Sequence, residues 1–481
     1  MHSQKPLPLA AHPVLRPQFL SRVFVLLLFT AALGGLRPIP LQAQTPPGSV
    51  LWSFSLPGNI TSMPAFSPDG STMYLSSTMG LYAITNGGSN IWTFPMTQSL
   101  VSSPVVASDG TIYTGDDMGN MYAVNPEGAQ KWKISLQAQS RGYSGTPALA
   151  ANGDLYLAAG GRLFAITPTG SIRWVFDYDD GYAAVASPCI AQDGTIYVGA
   201  TWRRKFYAIN PDGSMKWEIN LEADPGESCA IGSDGTLFCG IPELCAISPS
   251  GNILWSNNTF YYSGWSPILA NDGSVLKSNS EFSLEKWAPG GIKLWTAARG
   301  VTAYGFPYTS AAVDAAGSIY YSASNCVFSI SDEGSIQWVF VSPYSVQPTP
   351  PPRPPTVISP EVGPDGTIYA VFGSSIWGTT LYALQGSGSG PGTSAWPMLH
   401  QNLRHTGKVE KPSIGALKKR ADASFEIPIA GEIGHSYTLQ YTSNFVNWTT
   451  VTNFIARTVS MTVTDTSARN ASARYYRVTS P

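Results

Sequence analysis

The feature that most constrains this chain is a repeated hairpin. Its clearest copy is Ser103-Pro104-Val105-Val106-Ala107-Ser108-Asp109-Gly110-Thr111-Ile112-Tyr113, and the pattern recurs eight times, with turn glycines at Gly70, Gly110, Gly153, Gly194, Gly235, Gly273, Gly317 and Gly366. Each glycine separates two short segments of alternating hydrophobicity, which is the sequence form of a β-hairpin. A third strand is marked by Leu81-Tyr82-Ala83, Met121-Tyr122-Ala123, Leu163-Phe164-Ala165, Phe206-Tyr207-Ala208, Leu244-Cys245-Ala246 and Leu381-Tyr382-Ala383. A fourth carries a tryptophan: Trp52, Trp92, Trp132, Trp174, Trp217, Trp255, Trp295 and Trp338 recur every 38 to 43 residues.

Four short strands make a sheet that cannot bury both faces alone, so successive units must stack around an axis. The expected fold is all-β, an eight-bladed β-propeller over residues 47–407. The last unit, Ser359 to Leu384, lacks a tryptophan strand at the usual spacing, and the N-terminal strand Val50 to Leu56 is expected to complete it. Closure of that kind leaves no open sheet edge between the chain ends. Units six and seven depart from the pattern, with Glu285-Lys286 in place of Tyr-Ala and Ala311 in place of the strand-opening proline, and read as degenerate blades.

Residues 1–43 read as a signal peptide: Lys5, Arg16 and Arg22 precede the apolar run Phe24 to Leu33, and a small residue, Ala43, follows. That run is shorter than the roughly 20 residues of a spanning helix. The expectation is therefore an exported protein of the periplasm, cell surface or extracellular space, with no transmembrane segment in the mature chain. Removing Lys5, Arg16, Arg22 and Arg37 leaves 24 basic residues against 30 acidic ones, which excludes nucleic acid as a partner. Five cysteines remain (Cys189, Cys229, Cys239, Cys245, Cys326), an odd number. A cross-strand pair such as Cys239 with Cys245 and a set of buried thiols are both compatible with their placement.

The stretch Ala208-Ile209-Asn210-Pro211-Asp212-Gly213-Ser214-Met215-Lys216-Trp217 resembles the tryptophan-docking motif of pyrroloquinoline-quinone (PQQ) propellers. The run from Trp396 to Gly407 is similar to the way PQQ-like repeat proteins end. The resemblance implies that the eight repeat tryptophans are structural, packing between adjacent blades.

Between units seven and eight lies a proline-rich insertion, residues 342–356, which favours extended polyproline II and cannot enter a ladder. Residues 408–422 read as a linker. Residues 423–481 alternate with period two at Phe425 to Ile429, Tyr437 to Tyr441, Met461 to Thr464 and Tyr475 to Val478, the pattern of a small β-sandwich. Its Tyr-x-Leu-x-Tyr, Asn447-Trp448 and Tyr475-Tyr476-Arg477-Val478 elements resemble fibronectin-like modules.

The repeat resemblance brings dehydrogenases with it, so catalysis is tested on residues. No two cysteines adjoin, no Cys-x-x-Cys-His haem motif is present, and after residue 43 the histidines are His400, His405 and His435, none within the repeats. Histidine-based triads and His-ligated metals are accordingly not expected in the propeller. Asp69, Asp109, Asp193, Asp234, Asp272 and Asp365 stand where Asp forms turns. Asp177-Tyr178-Asp179-Asp180-Gly181 lacks the spacing and closing Glu of a calcium loop. No catalytic residue, metal ligand or cofactor is assigned.

One rim carries the short Asp-Gly and Pro-x-Gly turns, the other the longer and more varied connections. Large polar-tipped side chains crowd the second, and Tyr, Trp and Arg contribute most at recognition surfaces. The expected ligand-binding residues are Tyr143, Asp177, Asp179, Tyr182, Trp202, Arg203, Tyr261, Tyr262, Trp265, Tyr304 and Trp377. The expected function is a non-catalytic scaffold for a protein, peptide or glycan partner. The alternatives are a PQQ-dependent dehydrogenase with an atypical site, which would require PQQ with calcium, and a carboxylate-based polysaccharide-processing enzyme.

Overall fold

The computed structural model describes residues 45–481 apart from 137–144, 178–185, 258–265, 298–308 and 344–355 and further segments of one to five residues. The signal-peptide reading of residues 1–43 and most of the proline-rich insertion lie outside the described residues. Among those residues there is no α-helix, and strands account for the architecture.

Seven four-stranded antiparallel sheets follow one another along the chain. The first is built from Ala65–Phe66, Thr72–Ser77, Gly80–Thr85 and Asn90–Pro95. The second to seventh repeat that order over 105–135, 148–177, 189–220, 230–257, 268–297 and 312–341. In an eighth sheet Val50–Leu56 takes the tryptophan-strand place beside Gly378–Leu384, with Ser53 opposite Tyr382 and Phe54 opposite Leu381. First and last parts of the repeat region are thus one sheet. Thr356–Val357, at the end of the proline-rich insertion, pairs with Phe372 and Gly373.

Within each sheet the burial pattern follows strand position. The three inner strands are buried on both faces, as in Leu155–Ala159, whereas the tryptophan strand, as in Ile172–Asp177, alternates between exposed and half-buried. The inner strands consequently read as nearly continuous apolar runs, and only the outer one keeps the two-residue period of a half-solvated strand. Apolar clusters join each sheet to the next: sheets one and two through Tyr74 and Val106, two and three through Tyr113 and Leu157, three and four through Tyr156 and Ile196. One large cluster spans sheets four to seven, and another, containing Tyr320, Tyr369 and Phe66, joins seven to eight and eight to one. The core is a closed circuit.

The tryptophans follow the same circuit. Trp92 Nε1 donates to the Pro126 carbonyl in the turn of the next sheet, and Trp132, Trp174, Trp217 and Trp255 do the same to Pro168, Pro211, Pro249 and Pro289. Trp52, in the eighth sheet, donates to the Asn86 carbonyl of the first, and Trp295 to the Asp332 carbonyl of the seventh. The Trp338 ring lies against Gly48, so the seventh sheet docks on the eighth.

Units six and seven, read as degenerate, form complete sheets. In most sheets an aromatic on the second strand faces a small residue on the third, as Tyr74 faces Ala83 and Tyr197 faces Ala208. In the sixth, Leu276 faces Lys286. A smaller residue on one strand is matched by a longer one on the other, and the buried Lys286 ammonium is held by Asp272 Oδ2 at 2.9 Å and Asp332 Oδ1 at 2.6 Å. The departure is a compensated pair, and its two acidic partners come from sheets six and seven.

Beyond residue 412 two more sheets share a small core. Phe425–Ala430 pairs with Ser460–Asp465 on one side and with Ser413–Ile414 and Lys418–Lys419 on the other; Ser436–Thr442 pairs with Thr449–Ile455 and Tyr475–Thr479. Ile427, Ile429 and Leu439 are buried between them. The stretch 408–422, expected to be linker, therefore supplies two short strands to this module. They were hard to read because each has two residues, too few to show a period.

Candidate functional site

The two rims differ in what their backbone is doing. On the Asp-Gly side the turns abut one another: a β-carbon at Gly110 would lie 2.8 Å from the Pro126 ring, one at Gly153 2.9 Å from Pro168, and one at Gly235 3.0 Å from Pro249. The turn aspartates are engaged locally. Asp109 Oδ1 accepts from the Thr111 N–H at 2.9 Å, and Asp193, Asp234 and Asp272 accept from Thr195, Thr236 and Ser274 at the same distance. Burial pushes the Asp109 carboxyl up, but the Thr111 N–H and hydroxyl and the Lys131 ammonium outweigh it, so it titrates below the ordinary carboxylate range. Tryptophans of the neighbouring sheets dock on its proline turns, while the tips of the turns stay exposed.

The axis is occupied as well. The first strand of each sheet pairs outward only, leaving its inward N–H groups to find acceptors. In four sheets the segment 390–407 supplies one. Val106 N–H donates to the Arg404 carbonyl, Leu149 to Thr406, Ile190 to Gly407 and Leu269 to Trp396, at 2.7 to 3.0 Å. Gly392 N–H donates to Val313 O and Ala315 N–H to Gly390 O. One stretch of chain thus touches the inner strands of sheets two, three, four, six and seven.

At the centre of this segment His405 is completely buried. Its Nδ1 stands 3.0 Å from the Pro104 carbonyl and its Nε2 3.1 Å from Glu361 Oε2. A carbonyl only accepts, so Nδ1 carries the proton, and the Nε2···Oε2 contact shares one further proton. Burial raises the Glu361 carboxyl above its usual range, against the opposing pull of His405. The His400 ring packs edge-on against His405, 5.6 Å between centroids, and burial followed by the neighbouring imidazole holds its pKa well below normal. His400, Gln401 and His405 all have positive φ (58°, 76° and 56°). Backbone of this kind is uncommon outside glycine and marks a segment whose surroundings dictate its shape. A pair sealed this far from solvent anchors the segment.

The histidines lie outside the repeats in sequence, within the closing segment of the region 47–407, and that segment brings His405 against Pro104 and Glu361 of sheets two and eight, with His400 packed on it. Glu361 and Asn402 escaped the sequence reading. Asn402 Oδ1 accepts from the Arg404 and Thr406 N–H groups at 3.1 and 3.2 Å. Glu361 did leave a signal, since the matching positions are Ala65, Val105, Ala148, Cys189, Ala230, Ile268 and Ala312. Among the described residues no group of three or more His, Cys, Asp or Glu is arranged to hold a metal ion.

Of the expected binding residues, Tyr143, Asp179, Tyr182, Trp202, Tyr261, Tyr262, Trp265, Tyr304 and Trp377 lie outside the described residues. Asp177 and Arg203 are described, both exposed at strand ends opposite the Asp-Gly rim. Asp177 forms an ion pair with Arg162 at 2.5 Å across the third sheet. Arg203 begins a basic run with Arg204 and Lys205, in which Arg204 Nη1 donates to the Glu222 carbonyl and Lys205 pairs with Glu218 at 3.1 Å.

These sheets, with their docking tryptophans and closed circuit of cores, define a PQQ-like β-propeller repeat protein. A family model described as outer membrane protein assembly factor BamB matches residues 41–201 and 77–254. Among solved structures, BamB from Moraxella catarrhalis is similar at 15% identity and a TM-score of 0.54, covering 70% of this chain and 99% of that one. A streptogramin B lyase (15% identity, TM-score 0.45, 69% of this chain and 97% of that one) and virginiamycin B lyase from Staphylococcus aureus (14%, 0.44, 59% and 94%) also match. No curated protein matches the chain. No helix among the described residues is long and apolar enough to cross a membrane.

Proposed function

We propose that this chain is an exported, non-catalytic scaffold that binds a protein partner through the rim opposite the Asp-Gly turns, with the eight sheets as eight blades. The observation that carries this is the chain's own engagement of the inner strands: carbonyls of residues 390–407 accept N–H groups from the first strands of four sheets, while the Asp-Gly rim offers only short turns bonded within themselves. Recognition then falls to the connections that carry Tyr143, Tyr182, Trp202, Tyr261, Trp265 and Tyr304, with Asp177 and Arg203 at their feet. The description of the matching family and the BamB fold support a protein as partner. Loops on a rigid scaffold are the usual place for such contacts.

A photo-crosslinking side chain at Arg203 tests this in the source cells, with the same group at Asp212 on the Asp-Gly rim as control. A discrete protein adduct from position 203 and none from 212 is expected; equal adducts from both would overturn the assignment of the rim. Titration of the mature chain with PQQ plus Ca²⁺ is expected to give no binding, because the inward N–H groups are already hydrogen-bonded and no cysteine pair adjoins. Tight PQQ binding with dye reduction would replace the scaffold reading with the dehydrogenase one, and turnover of a polysaccharide would replace it with the polysaccharide-processing one.

A further inference from the structure

Four of the five cysteines converge on the interface between sheets four and five. Cys239 and Cys245 stand directly opposite each other on adjacent antiparallel strands, with their sulfurs 3.4 Å apart and both side chains buried. Cys189, reaching across from the fourth sheet, donates its thiol to the Cys229 carbonyl at 2.9 Å and accepts from the Cys229 N–H at 3.3 Å. Cys326 lies apart, in the seventh sheet. The position of Cys245 is one where neighbouring units place a large ring: Tyr122 opposite Thr114, Phe164 opposite Leu157, Tyr207 opposite Val198. Only the fifth sheet puts sulfur on both strands.

We propose that Cys239 and Cys245 are a dithiol modification site, oxidised by a small disulfide to a cross-strand disulfide. One thiolate of the pair attacks a sulfur of the external disulfide, forming a mixed disulfide and releasing one small thiol. The second thiolate attacks the cysteine sulfur of that mixed disulfide, breaking its bond and releasing the second small thiol. The two cysteines are oxidised by two electrons, the external disulfide is reduced by two, and the two cysteine protons leave on the released thiols. Directly opposed residues in an antiparallel pair have the Cα separation that a disulfide spans. The two cysteines are six residues apart in the chain, so they meet within a single hairpin without any long-range contact. The pair stands at the foot of a second-to-third strand connection, on the rim proposed to bind a partner, but its thiol readout does not depend on that binding.

The test is to unfold and reduce the full chain, refold it with oxidised and reduced glutathione, and then alkylate it in denaturant before peptide mass analysis. The expected result is a 239–245 linkage lighter by two hydrogens and closed to alkylation, with Cys326 alkylated. In C239S the linkage disappears and Cys245 gains the mass of one glutathione, because the resolving thiol is missing. Full alkylation of both Cys239 and Cys245 in the refolded wild-type chain, or their linkage to other cysteines, would overturn the proposal; the wild-type readout stands even if C239S does not refold.

Discussion

At Gly128 the backbone has φ +87° and a β-carbon would stand 2.8 Å from the Trp92 ring, so two constraints coincide on one atom. Gly128→Ala is expected to destabilise by about 1–3 kcal/mol through overpacking and a left-handed φ. Gly290→Ala, with nothing within 4 Å and no positive φ, is the matched control and is expected to be neutral or slightly stabilising; urea unfolding midpoints compare them. At the axis the prediction concerns pH. His400, whose folded pKa lies below its unfolded 6.5, contributes stability that is present above pH 6.5 and is lost as pH falls toward the folded value. Glu361 is raised above 4.5, so its contribution runs the other way, present below 4.5 and lost as pH rises through the folded value. Between those limits the two oppose each other, so the His400 share is read from the variant that removes it. His400→Asn, which tolerates positive φ, should lose less urea-midpoint stability between pH 7 and pH 5 than the wild type; an identical pH dependence in the variant would remove His400 as a cause. Turn glycines and docking tryptophans were readable because each recurs at a fixed spacing. Lys286 was misleading for the same reason: a repeat-based reading registers the lost alanine and not the leucine on the facing strand that makes room for it.

Among elements, the closing segment is the one whose role its own sequence least discloses. It has no strand periodicity, and its hydrogen bonds go to residues far away in the chain, so nothing local announces that it fills the axis. Asn402→Ala removes the acceptor for two buried N–H groups and is expected to cost about 1–3 kcal/mol, measurable as a lower denaturation midpoint. The sixth sheet offers a double-mutant cycle. Lys286→Ala should destabilise by leaving space beside Leu276, and Leu276→Tyr in the same chain should recover part of that loss, with a coupling of roughly 0.5–3 kcal/mol; strict additivity would show that the pair is not compensatory. In the C-terminal module, Asp465 gathers the Ser467 hydroxyl at 2.6 Å, the Tyr476 hydroxyl at 2.9 Å and the Arg474 guanidinium at 2.6 Å. Of this group only Tyr476 lay within the strand pattern visible in sequence, because a polar network of this kind has no period.

For the molecule as a whole, the repeat spacing carried the architecture, and the binding rim was legible only as composition: which large side chains stand in the longer connections, not how they are arranged. The pairing of Val50–Leu56 with Gly378–Leu384 has a consequence in time. Ser55 bonds Thr380, 325 residues later, and at roughly 5–20 residues per second of synthesis the first strand waits tens of seconds for its neighbour. Throughout that interval it is an apolar ribbon with unmet backbone groups, open to any other nascent strand. The stretch 390–407, made only after that pair can close, then joins the inner strands of five sheets at once. Closure of the ring therefore waits on residues that leave the ribosome after every sheet has been made.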